Sequence, residues 1–127
     1  MNFLGFLGGL ATGARSVCLG DAAIAVPQIR EDLDERDLLL GVRPEDVRLR
    51  DGGLIKGEVF GAEYLGTTQI VTVTTSHGTV RARLSADTSV RRGEHVGLDF
   101  RAERLSLFDR TTGRAVRTAL TDGDIHG

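Results

Sequence analysis

The feature that most constrains this chain is a recurring short run in which apolar and polar residues alternate, each run cut off by glycine, proline or an acidic turn. In Glu94-His95-Val96-Gly97-Leu98-Asp99-Phe100, Val96, Leu98 and Phe100 fall on one side, and His95 and Asp99 on the other. A period of two is that of an extended strand with one buried face. Val80, Ala82 and Leu84 repeat the pattern against Arg81 and Arg83, directly after the turn residues Ser76-His77-Gly78. The stretch 67–75 is rich in Thr, Ile and Val, whose branched side chains suit a pleated surface. Residues 54–65, 67–75, 79–84 and 94–101 therefore predict a meander, with Gly66 at its first junction. Shorter strands are expected around Phe3–Leu10, Arg15–Leu19 and Ala23–Val26, separated by Gly13 and Gly20-Asp21 and closed by Pro27.

Many short strands with turn signals about every ten residues indicate a small barrel or sandwich, and closing the sheet removes its exposed edges. At 127 residues the expectation is one domain over 1–127, with chain enough for one modest core. Seventeen glycines and six aromatic residues agree with many turns around an aliphatic interior. Residues 28–37 are the most heavily charged stretch and are expected to form an exposed loop, linker or short solvated helix. Residues 121–127 are expected to fray.

Composition also limits function. A net charge of -2 and a pI near 5.9 supply no broad positive field for a phosphate backbone, and only Phe60 and Tyr64 could offer stacking on a barrel strand. Nucleic acid is thus not an expected partner. Cys18 is the only cysteine, so no intrachain disulfide can form. The apolar run from Phe3 to Leu10 is far shorter than the ~20 residues of a membrane-spanning helix and has no basic region before it.

No motif carries chemistry. A phosphate-binding P-loop needs a lysine followed by Ser or Thr after a glycine-rich turn, whereas Lys56 is followed by Gly57. His77, His95 and His126 have no spacing that suggests shared metal ligation. His95 and Asp99 would share a strand face but stand roughly 13 Å apart at about 3.3 Å per residue, too far to act as a pair. Ser85, Ser89 and Ser106 lie in no nucleophile-elbow context. No catalytic, cofactor-binding or metal-ligating residue is expected.

Two corners stand out instead. After Leu38-Leu39-Leu40, the chain breaks into Arg43-Pro44-Glu45. Proline holds the preceding residue extended and suits the first turn of a helix, where Glu45 and Asp46 meet exposed amides. Arg43 and Glu45 are expected to pin this corner by local hydrogen bonds or, failing that, to contact a partner. The second corner follows Phe100 and leads to Leu107-Phe108-Asp109, with Asp109 starting a turn and Gly113 allowing positive φ.

The stretches "GVRPEDVRL", "GEVFGAEYLGTTQIVTV" and "GEHVGLDFRAERLSLFDRTTGRAV" resemble, in order and spacing, the carboxy-terminal regulatory region of ATP-binding subunits of ABC importers, most of all the maltose, multiple-sugar and glycerol-3-phosphate type. The opening "MNFLGFLGGLATGARSVCLGDAAIAVP" is similar to the start of that region, so the resemblance covers nearly the whole chain. It implies an all-β fold, a small OB-type barrel of short antiparallel strands, the transport-associated (TOBE) barrel related to molybdate-binding (MOP) domains. It also implies a fragment whose ATPase domain, with its ATP and Mg, lies outside this sequence. The partners it implies are that domain, a second copy of the subunit, the transporter's membrane subunits and a regulatory protein, at the cytoplasmic face of the cell membrane. Arg43, Pro44, Glu45, Gly66, Phe108, Asp109 and Gly113 are the positions it marks as corner or regulatory contact. Related barrels bind oxyanions such as molybdate. Thr67, Thr68 and Ser85 to Ser89 could supply hydroxyls here, although the relatives' Ser-Ala-Arg-Asn run is missing and Asp87 would repel an anion.

Overall fold

A computed structural model describes residues 1–121; the tail expected to fray lies, from residue 122 onward, outside the described residues. The chain is all-β. Its strands are β1 (Asn2–Leu10), β2 (Ser16–Leu19), β3 (Ala22–Ala25), β4 (Leu33–Val42), β5 (Val47–Leu49), β6 (Ile55–Leu65), β7 (Thr68–Thr75), β8 (Gly78–Ser85), β9 (His95–Phe100) and β10 (Ser106–Asp109). Single 3-10 turns occur at Pro44–Asp46 and Ala102–Arg104, and no α-helix occurs among the described residues. The backbone gathers into two compact units, Met1–Phe3 with Val42–Arg101, and Leu4–Gly41 with the described residues from Ala102 onward.

The first unit is a five-stranded antiparallel sheet in the order β5-β9-β6-β7-β8. β6, β7 and β8 form the expected run of hairpins, but β9 does not continue it. It returns to the far side of β6, with Ile55 opposite Leu98 and Glu58 opposite His95, which is a Greek-key order rather than a meander. On the edge of β8 that a meander would use, the Asn2 side chain bonds Arg81, its Nδ2 donating to Arg81 O at 2.8 Å and its Oδ1 accepting from Arg81 N at 2.9 Å. β5 also lies against β8, so the sheet curls toward closure as in an OB-type barrel. Its core is the inward set Val47, Ile55, Val59, Val71, Val73, Val80, Ala82 and Leu98, all buried. A register shift between Val59 and Gly61 marks a bulge, which bends β6.

The second unit holds a three-stranded sheet, β1-β4-β10, and the hairpin β2-β3. In Leu38-Leu39-Leu40 the alternation of a strand decides burial: Leu38 and Leu40 are fully buried and Leu39 only partly. They pack in a unit that also buries Leu4, Ile29, Leu105 and Leu107. The charged stretch 28–37 is not a free linker. Its second half opens β4, and Ile29 is fully buried, its amide donating to Ala14 O and its carbonyl accepting from Gly13 N. The charges concealed this because several have dedicated partners: Asp32 accepts from Thr12 N at 2.7 Å, and Glu31 holds Arg114 through both carboxylate oxygens at 2.9 and 3.0 Å.

Candidate functional site

The Arg43-Pro44-Glu45 corner lies in the first unit. Arg43 is extended (φ -77°, ψ 149°), Pro44 occupies the first position of the 3-10 turn, and Asp46 N donates to Arg43 O at 2.9 Å. Local hydrogen bonds from Arg43 and Glu45 were expected to pin the bend. Both side chains are exposed instead and make no hydrogen bond or ion pair among the described residues. The fixing residue is Asp46. It is buried, its carbonyl accepts from Arg101 N at 2.9 Å, and its carboxylate lies 3.9 Å from Arg101 Nε. This ties the start of β5 to the end of β9 and leaves Arg43 and Glu45 facing solvent. In sequence the signal was the acid after Pro-Glu, which fits a 3-10 turn whose last residue points inward.

The second corner lies in the other unit. Phe108 pairs with Leu39 across β10 and β4, and it forms a bridge with Ala115. Asp109 is buried and starts a tight turn: its Oδ1 accepts from Thr111 N at 2.9 Å and Thr112 N at 3.2 Å, and its backbone closes the loop with Gly113 N and Arg114 O. Gly113 has φ 78°, the left-handed region that a side chain would strain. Arg36 Nη1 donates to Asp109 Oδ2 at 3.0 Å, and this guanidinium, with the two threonine amides, holds the Asp109 carboxyl below the ordinary aspartate range. Gly66, at φ 81°, turns the β6–β7 hairpin and belongs to neither corner. The seven positions thus divide into one cluster in each unit and one separate hairpin tip.

The hydroxyl-bearing loop after β8 is also organised. Gln69, fully buried on β7, reaches it with Nε2, donating to Ser85 O at 3.0 Å and Thr88 O at 2.6 Å. The amides of Ala86, Asp87 and Thr88 donate to Thr67 O, Ser85 Oγ and Ser85 O. An anion nest needs successive free amides, and these three are occupied by Thr67 and Ser85. His95 and Asp99 do not meet: His95 Nε2 stands 3.9 Å from Glu58 Oε1, while Asp99 pairs with Arg50 and accepts from Leu54 N. That pairing with Arg50 holds the Asp99 carboxyl below its usual range. No group of three or more His, Cys, Asp or Glu side chains among the described residues could hold a metal ion. Nor is any helix among them long and apolar enough to cross a membrane.

A five-stranded antiparallel sheet that curls toward closure defines a small all-β, OB-type domain. Residues 40–108, more than half of the chain, match the TOBE domain family, and the chain belongs to it. Over 89 residues, 64% of the chain, it is 30% identical to the trehalose/maltose import ATP-binding protein MalK of Thermococcus litoralis. The matched part is 24% of that protein, so the chain spans about a quarter of the relative's length. Among solved structures it is similar to the cytoplasmic molybdate-binding protein ModG, with a TM-score of 0.57 and 12% identity, covering 84% of this chain and 94% of that one. At that identity the likeness concerns the fold.

Proposed function

We propose that this chain is the regulatory and dimerisation domain of the ATP-binding subunit of an ABC importer, one that takes up sugars or related solutes. The observation that carries the proposal is the 30% identity to an import ATP-binding protein over 89 residues, beside the match of residues 40–108 to the TOBE family. In this reading the domain works at the cytoplasmic face of the membrane beside its own ATPase domain. A second copy across the subunit dimer and, through the ATPase domains, the membrane subunits are its further partners. The exposed Arg43 and Glu45, which the fold does not need as hydrogen-bonding groups, are where a regulatory protein would make contact.

The isolated chain is expected neither to hydrolyse nor to bind ATP, and to self-associate weakly. Calorimetry with Mg-ATP and sedimentation at high protein concentration test this. A measurable nucleotide affinity contradicts the proposal, and a strict monomer removes an interface that works outside the whole subunit.

A second reading, oxyanion sensing, draws support from the ModG-like fold and the hydroxyls of Thr67, Thr68 and Ser85 to Ser89. The occupied amides and Asp87 weigh against it. Molybdate titration decides: saturable heat favours oxyanion sensing, and its absence removes that reading.

A further inference from the structure

The first unit contains a cleft of about 600 Å³ where β6, β7 and β9 run side by side below the turn that precedes β6. Its floor is backbone. Gly57 and Gly97 bring no side chain to it, and neither position accepts one: a Cβ at Gly97 would stand 2.5 Å from Arg50 O, and one at Gly57 2.4 Å from Val73 Cγ1. Its polar lining is Asp51, Lys56, Glu58, Thr74, Ser76 and His95, with Val96 as an apolar wall. Lys56 is the only lysine of the chain. Among the described residues the side chains of Asp51, Lys56, Thr74 and Ser76 make no hydrogen bond or ion pair, and His95 and Glu58 meet only each other, at 3.9 Å. Neighbouring Thr75 is different, because its hydroxyl is spent on Gly78 O and His77 N. The side chains of Asp51, Lys56, Thr74 and Ser76 thus remain available to a ligand in the hollow.

The balance of these groups selects the ligand. Two carboxylates against one ammonium repel an oxyanion, and the wall offers no three-ligand set for a metal. Nor does any Phe, Tyr or Trp line it for a planar ring. What remains are acceptors from Asp51 and Glu58, donors from Lys56 and the His95 ring, and two hydroxyls able to do either. That set matches an uncharged molecule covered with hydroxyl groups, each at once donor and acceptor. The volume falls within the ~300–1,000 Å³ of small-ligand sites and holds a mono- or disaccharide-sized body.

We infer that this cleft binds a neutral polyhydroxylated small molecule. The site goes beyond the role of importer domain and does not depend on it, since it lies within one unit of this chain. Titrating the 15N-labelled full chain with trehalose, maltose, molybdate and spermidine, followed by amide NMR shifts, tests it. Trehalose or maltose should shift the amides of Gly57, Ser76, His95 and Gly97 saturably, with the weak, ~1 mM affinity of a small open site. Lys56→Ala and Glu58→Gln, both at exposed positions, should each weaken binding at least about fivefold, an effect of ~1 kcal/mol. Arg83→Ala, on another part of the unit, should not. Unchanged shifts elsewhere in each variant establish that the fold survived. The inference falls if neither sugar shifts these amides, if the shifts gather elsewhere, or if molybdate or spermidine binds the cleft more tightly. Failure here leaves the ATP and self-association tests untouched, and failure there leaves this result standing.

Discussion

Replacing Gln69 by alanine is the sharpest probe of how the barrel holds its loops. Gln69 is fully buried, and its Nε2 bonds Ser85 O and Thr88 O. Ser85 O keeps a partner in Thr88 N after the change, so only Thr88 O is orphaned. The two lost hydrogen bonds cost about 2 kcal/mol together, at ~1 kcal/mol each. One buried methylene, Cγ, is also lost, since alanine keeps Cβ, and adds about 0.8 kcal/mol. Against this, Gln69 Oε1 has no partner in the native fold, and its removal returns about 1 kcal/mol of desolvation cost. The net loss is about 1.8 kcal/mol. Urea unfolding measures it: with a slope of ~1.5 kcal/mol/M, the midpoint of the first unit falls by roughly 1.2 M. Amide exchange at Ala86 and Thr88 should quicken more than about tenfold, because the loop loses its inward anchor. A variant within about 0.5 kcal/mol of the parent, or one with unchanged exchange in this loop, would refute the reasoning.

Three further outcomes follow from the same geometry. Gly66→Ala should cost ~1–2 kcal/mol by chemical denaturation, since its φ is 81° and a Cβ there meets nothing, leaving backbone strain as the whole effect; Gly57→Ala, driven into Val73 Cγ1 and Thr74 O, should cost clearly more, and equal losses would contradict the packing. Arg43→Ala and Glu45→Ala should each leave unfolding within about 0.5 kcal/mol of the parent, as solvent-facing side chains do, and a larger loss would return them to the role of pins. Asp109, Asp99 and Glu31 are held below ordinary carboxylate values by Arg36, Arg50 and Arg114. Their contribution is complete above the unfolded values of ~4 and is lost as pH falls through the lower folded values. Melting temperature should therefore drop on the acid side, and Asp109→Asn should flatten that drop; an unchanged acid arm would count against the pairing.

Local patterning made much of this fold legible. The alternation at Val80 to Leu84 and at Val96 to Phe100 located strands because each has one core-facing side, and Asp109 with Gly113 announced a turn through side-chain capping and positive φ. Pairing was harder to read. Nothing in β9 says that it should return to β6, nor does the local pattern show that Asn2, 79 positions from Arg81, bonds the edge of β8. The charges of 28–37 misled in the same way, since Glu31 finds Arg114 and Arg36 finds Asp109 only once distant chain segments meet. At the Arg43 corner the backbone bend was foreseeable from Pro44. Burial of Asp46, rather than of its neighbours, depends on Arg101 arriving from β9.

Whether the chain serves as part of an import ATPase is read from the endogenous polypeptide, isolated from its native cells with antibodies raised against this chain and mapped by peptides. A polypeptide several times longer is expected, in which peptides of a P-loop ATPase domain are contiguous with Met1 onward. A free 13.6 kDa species, joined to no ATPase and bound to none, would contradict that role.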